Sequence, residues 1–178
     1  MIHNIVTAIS SRVNLYVKNR LLLDDDVVIV RNLVDIKGSV SEGIQNKISV
    51  FLLSVEEDKT SKTKSLSRVV NNPVIILNVN IMFAAYFTNN SYIESLRYIS
   101  LVIEFFQKTP NFHLSDTPGL PLSNPKVHVE IYNLNMPDTM RLWGAIGTKY
   151  LPSCAYRIKQ IKYDSEQMNI DIPPIMGG

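Results

Sequence analysis

The strongest constraint on the fold is an apolar run from Val74 to Phe87. It is rich in β-branched and aromatic residues, which favour strands. Asn78 and Asn80 interrupt it, and it falls short of the roughly 20 consecutive apolar residues that a membrane-spanning helix needs. We therefore predict that this run is the longest strand in the sheet of a soluble protein.

Four further segments have the pattern of strands. Ile48 to Val55 is apolar almost throughout, as expected for a strand covered on both faces. Val27 to Val34 is rich in β-branched residues, and Val127 to Tyr132 alternates apolar and polar residues. The last strand, Cys154 to Lys159, loses its alternation before Ile161, which predicts a β-bulge.

Three segments have helical signals. The first runs from Ile2 to Leu22, and the second follows Ser91 and Glu94, which form a predicted capping box. Pro137 suits the first turn of a short third helix that continues through Trp143. The residues predicted to face the core from the second helix are Ile93, Leu96, Ile99, Ile103 and Phe106.

These elements predict one α/β (α+β) domain, in which a mixed sheet of about five strands carries two or three helices. We expect the domain to span residues 1–163, with a mobile loop at 56–72, and residues 164–178 to form an extended C-terminal tail. Trp143 admits two interpretations, an interface anchor or a helix residue packed on the sheet, and we favour the second.

Charge and cysteine content exclude several classes of protein. The net charge is +2, from 18 basic and 16 acidic side chains, which does not suggest binding to a phosphate backbone. Cys154 is the only cysteine, so no intramolecular disulfide can form and folding in a reducing compartment is the simplest interpretation. Arg12, Lys18 and Arg20 lie among the apolar residues of the N-terminal segment, so we expect no signal peptide.

The sequence offers no pattern that an active site or a metal site would require. The three histidines, His3, His113 and His128, do not fall four residues apart, and Asp24 to Asp26 are adjacent rather than alternating as calcium ligands would be. Gly38 to Gly43 has one residue too many for a nucleophile elbow. We therefore expect no catalytic residue, no metal and no cofactor.

Two segments have no clear role in a monomer. Glu56 to Asn72 is charged and lacks glycine, and its basic residues are candidates for contact with an acidic partner: Lys59, Lys62, Lys64 and Arg68. Ser165 to Gly178 contains apolar residues at alternate positions, as in a strand that docks on its own domain or on a neighbour: Met168, Ile170 and Ile172.

Several segments, in order, resemble one family. The most specific is Leu-Trp-Gly-Ala-Ile-Gly-Thr-Lys-Tyr-Leu-Pro-Ser at residues 142–153, which leads into Tyr156-Arg157. Supporting segments are Asn32-Leu33, Ser54 to Glu57, Asn72 to Asn78 running into Phe83 to Phe87, and Tyr98 to Phe106. Together they resemble the tail-terminator, or cap, proteins of extracellular contractile injection systems, which are phage-tail-like particles.

The resemblance implies a structural protein and not an enzyme. Six copies would form a ring that docks on the last rings of the inner tube and the sheath and blocks further addition of subunits. Partners would be the chain itself, the tube protein and the sheath protein, with no nucleic acid and no direct membrane insertion. Strands donated between subunits would supply part of the contact. Assembly would take place in the cytoplasm, and the particle would later be released or anchored.

Two alternatives to the cap stay open at this point. One is a different tail-end component, such as a tube-specific terminator or a connector to a membrane anchor. The other is a small-molecule enzyme or a ligand-binding domain. Neighbouring sheath, tube and baseplate genes would favour the cap, whereas a metabolic operon would favour the enzyme.

Overall fold

The computed structural model describes residues 1–58, 75–88, 91–114 and 126–163. A six-stranded sheet has the strand order β1-β2-β3-β6-β5-β4, in which β1 and β2 are parallel and the other neighbours are antiparallel. The elements are α1 Ile2–Leu21, β1 Val28–Val30, β2 Lys47–Glu57, β3 Ile75–Tyr86, α2 Tyr92–Lys108, β4 Asn111–His113, β5 Lys126–Ile131, α3 Met136–Ile146 and β6 Ser153–Tyr163. The prediction of a single α+β domain with a mixed sheet is confirmed.

Helices cover both faces of the sheet. On one face, α1 and α2 pack over the larger apolar core, where Phe83, Phe106 and Tyr156 meet ring against ring. On the other face, α3 brings Trp143 into a smaller cluster with Phe51 and other apolar side chains of the sheet. Trp143 is thus buried against the sheet, as we favoured from the sequence, and the indole N–H finds no acceptor among the described residues.

The side chain of Asn14 organises the connection from α1 to β1. Its Oδ1 accepts hydrogen bonds from the backbone N–H groups of Val27 and Val28, at 2.9 and 3.0 Å. Its Nδ2 donates to Asp26 at 2.6 Å, and Lys18 forms an ion pair with the same carboxylate. These partners hold the pKa of Asp26 below its ordinary value. Asp26, the last of the three adjacent aspartates, therefore helps to fix the connection between α1 and β1.

Strands β1 and β2 differ in length from the predictions, and strand β4 was not predicted. β1 covers only Val28–Val30, because the chain then leaves the sheet and Val34 bridges to Val40 instead. β2 continues through Glu57, beyond the predicted start of the loop at Glu56, and the backbone N–H of Asp58 still bonds to Ile76. The short strand β4 was not predicted, because Phe112 is its one buried residue.

The face predicted for α2 was wrong at three of its five residues. The helix buries Tyr98, Val102 and Phe105 together with Ser95, Ile99 and Phe106, whereas three residues of the predicted face are exposed. Ile93 is 73% exposed, Leu96 40% and Ile103 42%. Apolar residues surround most of this helix, and the aromatic side is the one that fills the space above β3 and β6. Ser91 is the N-cap as predicted, but its side chain makes no capping hydrogen bond, so the capping box does not form.

The predicted bulge in β6 is confirmed. Val79 pairs with Ile158 and Leu77 with Ile161. Between these two pairs, β6 therefore contains one more residue than β3. The extra residue lets both Ile158 and Ile161 enter the core in spite of their odd spacing. None of the helices in the described ranges is both long enough and apolar enough to cross a membrane.

Candidate functional site

Among the described residues, no strand covers the outer edge of β2 over its second half. β1 pairs with β2 only at Ile48, Ser49 and Val50, and the next backbone hydrogen bond to β2 runs from Arg31 N–H to Val50 C=O. β2 then continues to Glu57, with β3 on its inner side and no further strand beside it among the described residues. We refer to Leu52 to Glu57 as the β2 edge.

The backbone pattern shows which groups point outwards at the β2 edge. Ser54 pairs with Asn80 and Glu56 with Asn78, and the N–H of Asp58 donates to Ile76. Because hydrogen-bonding direction alternates along a strand, the N–H and C=O groups of Val55 and Glu57 face away from β3. Such an edge is a template for another strand.

A bulge separates the two halves of β2. Leu52 pairs with Ile81 and Ser54 with Asn80, so Leu53 is an additional residue in β2. Two apolar side chains of the β2 edge are exposed: Leu52, just before the bulge, is 50% exposed, and Val55, after the bulge, is 41% exposed. The β2 edge therefore offers apolar side chains to a partner as well as unpaired backbone groups.

A polar network fixes the far end of β2 to the centre of the sheet. Asn80 on β3 donates to Ser54 at 2.8 Å and to Glu56 at 2.6 Å, and accepts from Arg157 Nε at 2.9 Å. Arg157 Nη2 reaches Glu56 Oε2 at 3.1 Å, and its guanidinium lies 4.6 Å from the ring centre of Tyr132. Each charged group has a partner of opposite charge, so the network holds β2 in place and presents no free acid or base.

An apolar groove begins beside the bulge. It has a volume of about 300 Å³ and lies between β2, the segment that follows β1, and α3. The side chain of Ile36, fully exposed, and that of Met140, more than half exposed, add apolar surface in the two elements that flank it. The residues that line the groove are Asn32, Leu33, Val34, Phe51, Leu52, Leu53, Leu142, Ala145 and Ile146.

The residues predicted to make the interface lie outside the described ranges. They are Lys59, Lys62, Lys64 and Arg68, and Met168, Ile170 and Ile172. The structure does show where their segments join the sheet. β2 ends, β3 starts and β6 ends at the same end of the sheet, because Ile75 pairs with Tyr163 and Leu77 with both Glu57 and Ile161.

The groups that could support chemistry are separate from one another. No cluster of three metal-ligating side chains occurs within the described ranges. His128 Nδ1 faces Asn111 Oδ1 at 3.2 Å, and the carbonyl of His113 accepts a hydrogen bond from Arg12. Cys154 is partly buried beside the core, and burial raises the pKa of its thiol to about 12. A thiol with that pKa is almost wholly protonated at neutral pH and is a poor nucleophile.

The β2 edge could not be found from the sequence. The composition of Ile48 to Val55 suggests a strand covered on both faces, and nothing in it shows that β1 stops at Val30. The signal that could have helped is the pair Leu52-Leu53, where two adjacent large apolar residues break the alternation and mark the bulge.

Comparison with known proteins identifies the family. A family model described as "Pvc16 N-terminal domain" matches residues 4–176. The chain belongs to this family. No curated protein matches it significantly.

Two solved structures have the same fold. One is described as the "PVC sheath/tube terminator in extended state" of an extracellular contractile injection system. Its TM-score is 0.63 and its sequence identity is 13%, and the match covers 93% of this chain and 57% of the terminator chain. The other is the "anti-feeding prophage cap (AFP tube terminating cap)", with a TM-score of 0.54 and 17% identity, over 86% of this chain and 55% of that one. The chain thus spans little more than half the length of either protein. The family named from the resemblance in the sequence is confirmed.

Proposed function

We propose that this protein is the structural terminator of a contractile injection particle. Six copies form a ring at the distal end, dock on the last rings of the tube and the sheath, and stop their polymerisation. Membership of the Pvc16 N-terminal family and the terminator fold support this role. The observation in the structure that carries it is the open β2 edge, since an assembly subunit needs a surface that a partner can complete.

The contacts with the particle are of two kinds. Lys59, Lys62, Lys64 and Arg68 meet an acidic rim of the tube or the sheath, where charges mainly affect the rate and the salt sensitivity of docking. Met168, Ile170 and Ile172 supply an apolar contact that holds neighbouring subunits together. A six-membered ring of this kind needs an interface on the order of 800 Å² per partner.

The subunit acts by binding alone. Assembly takes place in the cytoplasm, on a tail that is later released or anchored. Screens for hydrolase, phosphatase and redox activity will be negative, and the purified protein will carry no stoichiometric metal. Zinc bound at His113 or His128 would contradict this part of the proposal.

The decisive experiment is imaging of particles from a strain that lacks this gene. Without the terminator, tubes and sheaths will have irregular lengths in negative stain, and complementation with the wild-type gene will restore a uniform length. Averages of the distal end will show a sixfold density that the deletion strain lacks. Particles of normal, uniform length in the deletion strain would overturn the proposed function.

A further inference from the structure

The exposed side of α2 carries apolar side chains that the fold of the subunit does not bury. Tyr92 and Ile93 are more than half exposed, and Leu96 and Ile103 are exposed over about two fifths of their surface. With about 3.6 residues per turn, these four side chains fall within about 100° of one another around the helix axis. We refer to them as the α2 stripe. Contiguous exposed apolar surface of this kind is a sign of an interaction site.

The groove beside the β2 bulge is a matching surface on the other face of the sheet. α1 and α2 cover one face, whereas the groove lies next to α3 on the opposite face. Its volume of about 300 Å³ can take more than one aliphatic side chain, because a cavity of about 150 Å³ admits benzene. Helices that bind in apolar grooves insert side chains three or four positions apart, which is the spacing of Tyr92, Ile93 and Leu96.

The positions of the two surfaces decide the symmetry of a contact between them. Because the α2 stripe and the groove lie on opposite faces of the sheet, two subunits cannot make both contacts with each other, as a twofold dimer would require. Each subunit instead uses the stripe towards one neighbour and the groove towards another. A repeated head-to-tail contact of this kind closes into a ring when the rotation per subunit allows it.

Charged side chains beside the two surfaces favour one direction of the helices. Glu94 and Arg97 form an ion pair at 3.7 Å on α2, and Asp138 and Arg141 form one at 3.4 Å on α3. Arg97 follows Ile93 by one turn, and Asp138 precedes the groove residues of α3 by one turn, so each pair lies beside the apolar surface. In both helices the acid comes first and the base three residues later. An antiparallel arrangement therefore places each acid opposite a base.

We propose that the α2 stripe of one subunit binds in the groove of the next subunit in the ring, with α2 and α3 antiparallel. Ile93 and Leu96 enter the groove, and the two exposed ion pairs exchange partners across the contact. This inference rests on the ring in the proposed function and names a contact between its subunits. It also gives a role to the side of α2 that the core leaves exposed.

Disulfide trapping in assembled particles tests this contact. Leu96→Cys labels the stripe and Ala145→Cys labels the groove, in two chains that are expressed together and incorporated into the same particles. A leucine that enters the groove brings the two Cα atoms within the distance that a disulfide needs, roughly 4–7 Å. The wild-type chain should not cross-link, because burial raises the pKa of Cys154 to about 12.

The matched control moves the first cysteine to the neighbouring helix. Ser11 is exposed on α1, on the same face of the sheet as α2 but outside the stripe. We expect at least about tenfold more linked dimer from Leu96→Cys with Ala145→Cys than from Ser11→Cys with Ala145→Cys, because only the first pair meets the distance requirement. A chain that carries both Leu96→Cys and Ala145→Cys will give a ladder that stops at six linked chains.

Charge reversal tests the direction of the helices. Adding Arg97→Asp to the Leu96→Cys chain should lower the yield of linked dimer at least about fivefold, because two carboxylates then face each other. Adding Asp138→Arg to the Ala145→Cys chain should restore the yield. The side chains of both residues are exposed, so both variants should fold like the wild type. A loss of linking that Asp138→Arg does not restore would contradict the antiparallel contact.

Two further results would overturn the inference. If Leu96→Cys chains link to one another, the stripe makes a twofold contact with its own copy. If particles are uniformly capped and neither Ile93→Cys nor Leu96→Cys links to Ala145→Cys, the stripe has another partner. Both results leave the proposed function intact, because that function fails only when the deletion strain makes particles of normal length.

Discussion

Arg157 on β6 and Glu56 on β2 meet across the intervening strand β3, with Nη2 and Oε2 3.1 Å apart. Asn80 on β3 lies between them and bonds to both. Three strands are thereby linked through side chains at the point where β2 has lost the support of β1. This link holds the end of β2 to the sheet where no described strand lies on its outer side.

Replacing Arg157 with Ala should destabilise the protein by about 2 kcal/mol, because Glu56 and Asn80 each lose a charged hydrogen-bond donor in a partly buried site. Urea denaturation followed by circular dichroism measures the change. Arg141→Ala is the matched control, since its ion pair with Asp138 is exposed on one helix and should be worth less than about 0.5 kcal/mol. Equal losses from both substitutions would show that the network contributes no more than a surface pair.

The two apolar sides of α2 should differ sharply when each is truncated. Phe106 is 3% exposed and contacts the rings of Phe83, Phe112 and Tyr156, so Phe106→Ala should cost about 3–5 kcal/mol. Ile103 lies on the exposed side, and Ile103→Ala should cost less than about 1 kcal/mol. Thermal unfolding of the two variants checks this, and a larger loss from Ile103→Ala would mean that the helix is oriented as the sequence had suggested.

The positions in α2 show why the sequence predicted the presence of helices and strands better than the face that each helix buries. β2 and β3 were predicted because apolar runs rich in β-branched residues favour strands. The β6 bulge was predicted because the alternation of apolar and polar residues shifts by one position. The face of α2 was missed because Ile93, Leu96 and Ile103 are as apolar as the residues that the sheet buries. Only the position of the aromatic side above β3 and β6 decides between them.

The candidate site depended even more on tertiary structure. An open edge is defined by the strand that is absent beside it, and the early end of β1 at Val30 follows from the turn in which the Asp35 carboxylate accepts hydrogen bonds from the N–H groups of Lys37 and Ser39. The sequence did point to the two segments that leave the same end of the sheet. It could not show that β2 and β6 end together at one end of the sheet.

Stability should fall in alkaline solution. Burial raises the pKa of Cys154 to about 12, from 9.0 for the free thiol, and also raises the pKa of Tyr156. The folded state then holds protons that the unfolded state releases, so the contribution of these two groups to stability is constant below about pH 9 and decreases as the pH rises further. Urea midpoints between pH 7 and pH 11 measure this decrease.

A cysteine substitution separates the contributions of the two groups. In Cys154→Val the decrease should begin about one pH unit higher, near the ordinary pKa of 10.0 for the tyrosine. A thiol reagent should label native Cys154 at pH 8 far more slowly than the unfolded chain. Labelling at the same rate in both states would contradict the raised pKa.

The basic segment after β2 should control docking and not folding. Four charged residues, all basic, and no glycine lie between Lys59 and Asn72, so the segment gains little by packing on its own domain and is suited to contact an acidic partner. Changing its four basic residues to Ser should leave the unfolding midpoint unchanged and weaken capping relative to the wild type, most strongly at low salt, because high salt screens the same attraction in the wild type. The four residues are Lys59, Lys62, Lys64 and Arg68.

A control with the same change in net charge separates local contact from overall charge. Four exposed basic residues elsewhere serve this purpose when changed to Ser: Arg20, Lys37, Lys126 and Lys149. The distribution of particle lengths, measured by negative stain at low and high salt, should broaden for the first variant and stay narrow for the control. If both variants broaden the distribution equally, docking depends on the net charge and not on the segment after β2. If neither variant broadens it, a different part of the subunit contacts the acidic rim of the tube or sheath.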